Sequence, residues 1–302
     1  RIDLLERISK EQHHEAVLSY LKMARKSKEW EYFEHFFDMH FKGDANHDIY
    51  TGYEYSHLLW NKGKEDEAIQ RIDEMLMKPK SEPIFARLYY KKAKWIARKN
   101  DSAVLLFSEN KFENQEKNIK DDENQLKIQS QLLNQMQEVR FLCKQAKNIR
   151  KYHYPTLNLW AWSSMRVFDI GTDDREIAAI EAIKGFAHCV NLDIKNTFSD
   201  LLQMISVLFR SISIPNVFSK VKKLIYSIDI KRYIKIIPQL IMYKQTSSKP
   251  HRRFVLHILK SMLQKYPNAA IFPLLFVKHF TLRGQNNNEG NEEGKEDNIN
   301  NN

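Results

Sequence analysis

Apolar residues along this chain recur every three to four positions. From His14 to Arg25, the residues Val17, Leu18, Leu21 and Ala24 fall on one face of a helix. Trp30, Phe33, Phe36, Phe37 and Phe41 repeat that rhythm, so the two segments read as a helical hairpin. A second pair is expected over Tyr50 to Trp60 and Glu65 to Met77, with Gly63 in the turn, where a left-handed backbone costs glycine little. The next helix runs from about Pro83, tolerated in a first turn, to Arg98.

The second pair also carries a repeat signature. Ser56, Leu59, Gly63, Ala68, Ile72 and Met75 stand at the offsets of the tetratricopeptide pattern, in which small residues let paired helices approach closely. Between Asn100 and Asn124 the rhythm breaks into a charged, polar run that reads as an insertion loop. From Gln125 to about Tyr152 an amphipathic helix resumes, with Leu126, Leu133, Met136, Val139, Phe141, Leu142 and Ala146 as its apolar positions.

Further helices are expected to start near Thr156, Asp173, Thr197, Pro215 and Asp229, each bounded by a cap or a proline. Asp173 precedes Glu176 by three residues, a capping arrangement for free amides. Pro238 removes a backbone donor and should kink or split the helix around it. Helices follow over Lys249 to Lys265 and Ala269 to Phe280. From Gly284 the chain is rich in Asn and Glu with no apolar period, and disorder is expected there.

Composition agrees with this all-helical reading. There are 8 Gly and 8 Pro in 302 residues, too few turn formers for an all-β fold. The formal charge is +10, but the basic residues are scattered: Lys220, Lys222 and Lys223; Lys231, Arg232 and Lys235; Lys249, His251, Arg252 and Arg253. Spaced along separate helices, they read as snorkelling, solvated or ion-paired side chains, and nucleic acid is not an expected partner. Cys143 and Cys189 lack partners at metal or redox spacing and read as buried thiols in a reducing compartment. The most apolar run, Ala269 to Val277, is too short to span a bilayer and contains Pro273. The chain opens on Arg1 without a signal segment, so an internal piece of a longer protein is expected.

No motif for catalysis is present. A kinase needs a glycine-rich phosphate loop, a lysine, a catalytic Asp with a following Asn, and a metal-binding Asp before Phe-Gly, and none of these occurs. P-loop, G-x-S-x-G and His-Glu-x-x-His patterns are missing too. His35, Asp38, His40 and His47 are close in sequence, but the spacing of His35 and His40 turns them to different helix faces, so no metal is expected. His188 beside Cys189, and His251 beside Arg252, read as ordinary core or surface residues.

Several segments resemble the FAT region of the phosphatidylinositol-3-kinase-related kinases, most nearly the target-of-rapamycin (TOR) branch. The run Tyr233 to Ile241, with Ile237-Pro238-Gln239-Leu240 at its centre, resembles W-L-x-V-I-P-Q-L-I. Tyr266 to Leu274, with Pro267 and Pro273, is similar to H-P-Q-A-L-I-Y-P-L. Upstream, Trp160-Ala161-Trp162 with Phe168 resembles W-H-A-W-A, and Gly185-Phe186 with Leu192 resembles G-F-F-x-S-I-x-L. Departures exist: Asn100 to Asn124 and the tail have no counterpart, and Val207-Leu208-Phe209-Arg210 stands where the family has T-L-W-F.

The resemblance implies a tetratricopeptide/HEAT-like solenoid of helical hairpins, non-catalytic in itself, that wraps and regulates the kinase domain of a cytoplasmic Ser/Thr kinase in growth and nutrient signalling. Its partners would be that kinase domain and complex subunits. Inositol hexakisphosphate is an implied ligand, with unassigned residues, whereas ATP and Mg would belong to a kinase domain outside this chain. A pseudokinase-related adaptor that recruits protein partners is the alternative. The expected organisation is N-terminal repeats over 1–99, the insertion over 100–124, FAT-type repeats over 125–283 and a tail over 284–302. If the Trp162 indole lies in the core, truncating it to Ala should cost about 3–5 kcal/mol.

Overall fold

The computed structural model describes residues 2–41, 48–78, 83–99, 119–171, 174–192, 197–243, 248–272 and 275; of 2–12 and 119–126 only the helical backbone is described. Among the described residues the fold is all-α, built from helical hairpins in the manner of a solenoid, with no strand. The chain divides between Thr156 and Leu157 into two compact units.

Unit 1 contains α1 (Ile2–Ser27), α2 (Trp30–Phe41), α3 (Ile49–Asn61), α4 (Glu65–Leu76), α5 (Ile84–Lys99) and α6 (Ile119–Ile149). Each packs on its neighbour in sequence order, with α1 also touching α3, except that the described helices α5 and α6 pair across the 100–118 segment. The first hairpin closes as its period requires: Val17, Leu21, Ala24, Phe33, Phe37 and Phe41 form one buried cluster with Leu58, and the Phe37 ring stacks on Tyr55 at 4.9 Å. In the α3–α4 pair, Ser56, Ala68, Ile72 and Met75 are buried and Gly63 takes a φ of 78° in the turn. Glycine alone adopts that conformation without a Cβ penalty. Asp48 caps α3 by accepting from the amides of Tyr50 and Thr51 at 2.6 and 3.0 Å.

The helix after the insertion begins at Ile119, six residues before Gln125, and it packs on α5. It therefore completes unit 1, where the sequence placed it at the head of the C-terminal repeats. Residues 100–118 of the expected loop lie outside the described residues. On α6 the buried positions are Leu132, Met136, Val139, Leu142, Cys143 and Ala146, whereas Phe141, expected in the core, is 57% exposed. The reason is angular: Val139, Leu142, Cys143 and Ala146 share a face that Phe141 does not.

Unit 2 contains α7 (Tyr154–Ile170) after its first turn, α8 (Arg175–Asn191), α9 (Thr197–Arg210), α10 (Val217–Tyr226), a 3-10 helix (Ile230–Ile236), α11 (Ile237–Met242) and α12 (Lys249–Lys265). Helix α8 is central, packing on both α9 and α10, while the 3-10 segment bridges α9, α11 and α12. Pro238 acts by division: the 3-10 turn ends at Ile236 and a new α-helix starts with proline in its first turn, where no donor is lost. The α8 N-cap is Asp174, which makes no capping side-chain bond. The expected partner Asp173 lies outside the described residues, and Glu176 instead binds Lys220 of α10 at 2.7 Å. Residues 267–272 are helical, starting before the expected Ala269; Pro273, most of the run to Phe280 and the tail lie outside the described residues.

No helix among the described residues is long and apolar enough to cross a membrane. Both cysteines are fully buried free thiols, as their apolar surroundings implied. Burial pushes both thiols well up, with Asp200 adding to the effect at Cys189. Neither thiol is poised to react.

Candidate functional site

Of the motif residues in unit 2, Trp160, Gly185, Phe186, Ile237 and Leu240 are buried. At the crossing of α7 and α8, a Cβ on Gly185 would lie 2.7 Å from the Ala161 Cβ and 3.0 Å from its Cα. The two backbones therefore approach as closely as a missing side chain permits. Phe186 is buried beside that crossing, and Trp160 is 3% exposed. Trp162 corrects the expectation of a core indole: it is 38% exposed, with the Arg166 guanidinium 4.3 Å over its ring. Two residues on a helix are about 200° apart, so Trp160 and Trp162 cannot both face the core.

In the run around Pro238, Ile237 and Leu240 are buried, Pro238 is exposed and Gln239 is half-buried. The ring of Tyr233 is fully buried, and its hydroxyl donates to the Ile225 carbonyl at 3.0 Å. Pro267 is exposed. Tyr233, Ile237 and Leu240 help to join α10, the 3-10 turn, α11 and α12.

The basic runs of unit 2 also separate. Lys220 pairs with Glu176, Arg252 and Arg253 face solvent, and His251 turns inward between Phe209 and Phe218, its Nδ1 2.8 Å from the Ser248 hydroxyl. Burial lowers the His251 pKa, opposed by the Leu208 carbonyl. Among the described residues no group of His, Cys, Asp and Glu could hold a metal; His47 lies outside them.

A polar concavity lies in unit 1, and sequence reading missed it. Arg25, Tyr53, Ala86, Arg87, Tyr90, Arg150, His153 and Thr156 line a cavity of about 240 Å³. Helix α1 supplies Arg25, α3 Tyr53, α5 Ala86, Arg87 and Tyr90, and the turn from α6 into the start of α7 supplies Arg150, His153 and Thr156. Arg25 is held by Glu54, its Nε 2.6 Å from Oε2, with that carboxylate buried. Among the described residues neither Arg87 nor Arg150 has a carboxylate within ion-pair distance.

The wall is completed by hydrogen bonding and ring contacts. His153 Nδ1 lies 2.7 Å from the Thr156 hydroxyl, and Tyr90 meets the imidazole edge-on at 5.3 Å. Burial, then Arg150 and Arg87, lower the His153 pKa, which marks the cavity as electropositive. Burial pushes the Tyr53 phenol up to about 12, with Arg25 and Arg87 opposing and Glu54 assisting. Such a wall can bind an anion through fork-shaped guanidinium donors and neutral hydroxyls.

The fold defines a class: a helical-hairpin repeat protein, here carrying an electropositive concavity in unit 1. No protein-family model matches the chain. Part of it is similar to two curated kinases. It is 26% identical over 132 residues to the serine/threonine-protein kinase tor1 of Schizosaccharomyces pombe, 41% of this chain and 6% of that protein. It is 27% identical over 96 residues to the serine/threonine-protein kinase TOR2 of Saccharomyces cerevisiae, 32% of this chain and 4% of that protein. The chain thus resembles a region of TOR kinases and spans a small fraction of their length.

Proposed function

We propose that the chain is a FAT-type, non-catalytic scaffold segment of a TOR-like Ser/Thr protein kinase, cytoplasmic, wrapping and regulating that kinase domain and meeting other subunits of its complex. The observation that carries this reading is the similarity to the TOR kinases of two yeasts, joined to an architecture of stacked hairpins suited to a scaffold. Sequencing the transcript downstream of the codon for Asn302 tests it. A kinase domain with its catalytic Asp, following Asn and metal-binding Asp is the expected result. A kinase-like domain without them would favour the adaptor reading, and a stop codon would remove both.

The cavity of Arg25, Arg87 and Arg150 favours a second element, an inositol hexakisphosphate site. Two guanidinium groups lacking carboxylate partners suit phosphate oxygens, and the cavity is small enough that a polyphosphate would be gripped at one edge. Titrating the 302-residue chain with inositol hexakisphosphate should show saturable binding that weakens with salt. Arg87→Ala and Arg150→Ala should each weaken it about tenfold, the scale of one lost charge-assisted bond. Binding unchanged in both variants would place the anion elsewhere.

A further inference from the structure

A second unusual group in unit 1 lies on another part of α5. Lys91, Lys94, Trp95 and Arg98 stand at i, i+3, i+4 and i+7 and share one helix face. Trp95 is buried, stacked parallel to Trp60 at 4.7 Å and met edge-on by His57 at 5.4 Å. The Lys91 Nζ lies 5.2 Å from the centre of the Trp95 ring. The charged and titratable groups facing it are Lys94 and Arg98 of its own helix, Arg25 of α1, and Glu54 and His57 of α3. Glu54 is already committed to Arg25 at 2.6 Å. Among the described residues no carboxylate lies within ion-pair distance of Lys91.

Its sequence neighbour is a natural control. Lys92 donates to Asp73 of α4 at 2.8 Å and to Glu138 of α6 at 3.0 Å. Two lysines one residue apart thus occupy opposite electrostatic settings. Burial, then Lys94, Arg25 and Arg98, lower the Lys91 pKa to about 7, with Glu54 opposing. At Lys92 burial acts in the same direction, but the hydrogen bonds to Asp73 and Glu138 more than reverse it.

We infer that Lys91 is an acylation site, its half-buried ε-amine, crowded by three cations and lacking a carboxylate, acting as a nucleophile toward acyl thioesters. The nitrogen lone pair attacks the thioester carbonyl carbon, the C–N bond forms and the C–S bond breaks. Sulfur leaves as a thiolate, the proton from nitrogen passes to it or to water, and nothing is oxidised or reduced. The amide product carries no charge, so repulsion with Arg25, Lys94 and Arg98 is relieved and the modified state suits its surroundings. The neutral amine, present at neutral pH, is the reactive form, as desolvated lysines are in nucleophilic catalysis.

The test is incubation of the 302-residue chain with acetyl-coenzyme A across about pH 6–10, with early-time occupancy at each α5 lysine read by mass spectrometry. Lys91 should acetylate about tenfold or more faster than Lys92 near pH 7.5, its rate levelling off above neutrality while that of Lys92 still climbs. In Lys94→Gln, which removes one of the crowding charges, the Lys91 plateau should move to higher pH. Acetylation of Lys91 no faster than Lys92, or a rate rising in parallel with it to high pH, overturns the assignment. So does a plateau unmoved by Lys94→Gln. The wild-type comparison stands even if that variant folds poorly.

Discussion

Units 1 and 2 solve the same problem, closing helix against helix, with different materials. Unit 1 uses charge and aromatic rings: the buried Arg25–Glu54 pair ties α1 to α3, Lys92 ties α5 to α4 and α6, and His57 sits against Trp95. Unit 2 uses volume: Ala161 against Gly185, with Ala178, Ala179, Ala182 and Ala187 buried along α8. A charged interior fails when one partner is removed, because the other remains desolvated. A close-packed apolar interior fails when a side chain is deleted or added. The electropositive cavity and the crowded Lys91 both fall in the unit that already tolerates buried charge.

The largest effect should come from unit 2. Trp160→Ala is expected to lose about 3–5 kcal/mol in urea unfolding, the scale of emptying an aromatic core site. In unit 1, Glu54→Ala should cost about 3 kcal/mol, at the lower end for a broken buried pair because Arg25 still reaches water. If the loss is under about 1 kcal/mol, charge is not what closes α1 on α3. Gly185→Ala should cost about 2–3 kcal/mol, since the added carbon meets backbone as well as side chain. Faster amide hydrogen exchange in α7 and α8, with α1 to α6 unchanged, would localise that effect.

A pH series sharpens the contrast. His57 is pushed down to about 2 by burial, then Lys91, Arg25 and Lys94, from the ordinary 6.5. Between those values the unfolded chain binds a proton that the folded chain refuses, so stability is whole above about pH 6.5 and falls as pH drops. Near pH 5 the loss from this residue should be about 2 kcal/mol, absent in His57→Gln; equal pH slopes in the two proteins would contradict the buried neutral imidazole. Smallest of all, Trp162→Ala should cost under about 1 kcal/mol, because its ring is partly in solvent and loses chiefly the Arg166 contact.

Much of the fold was legible because a helix repeats every 3.6 residues and the core selects one face. Val17, Leu21, Phe33 and Phe37 were found this way, as were the small Ser56 and Ala68. The errors arose where type was read without angle: Trp162 and Phe141 are large and apolar, yet each lies off the face its neighbours define. The cavity left no local trace. Arg25 and Arg87, on separate helices, and Arg150, just past the end of α6, are separated by dozens of residues, and each reads as a surface cation. Lys91 and Lys92 are the sharpest instance, since adjacent identical residues differ only in what neighbouring helices bring to them.

The order of amino acids alone determined the helices, most of their buried faces, the break at Pro238 and the likeness to a region of TOR kinases. All of these depend on residues near one another in the chain. Only the tertiary structure decided that α6 completes unit 1, that Gly185 is an approach point, and that three distant arginines share a cavity. Charge and desolvation act through space, and spatial neighbours are set by which helices pack together.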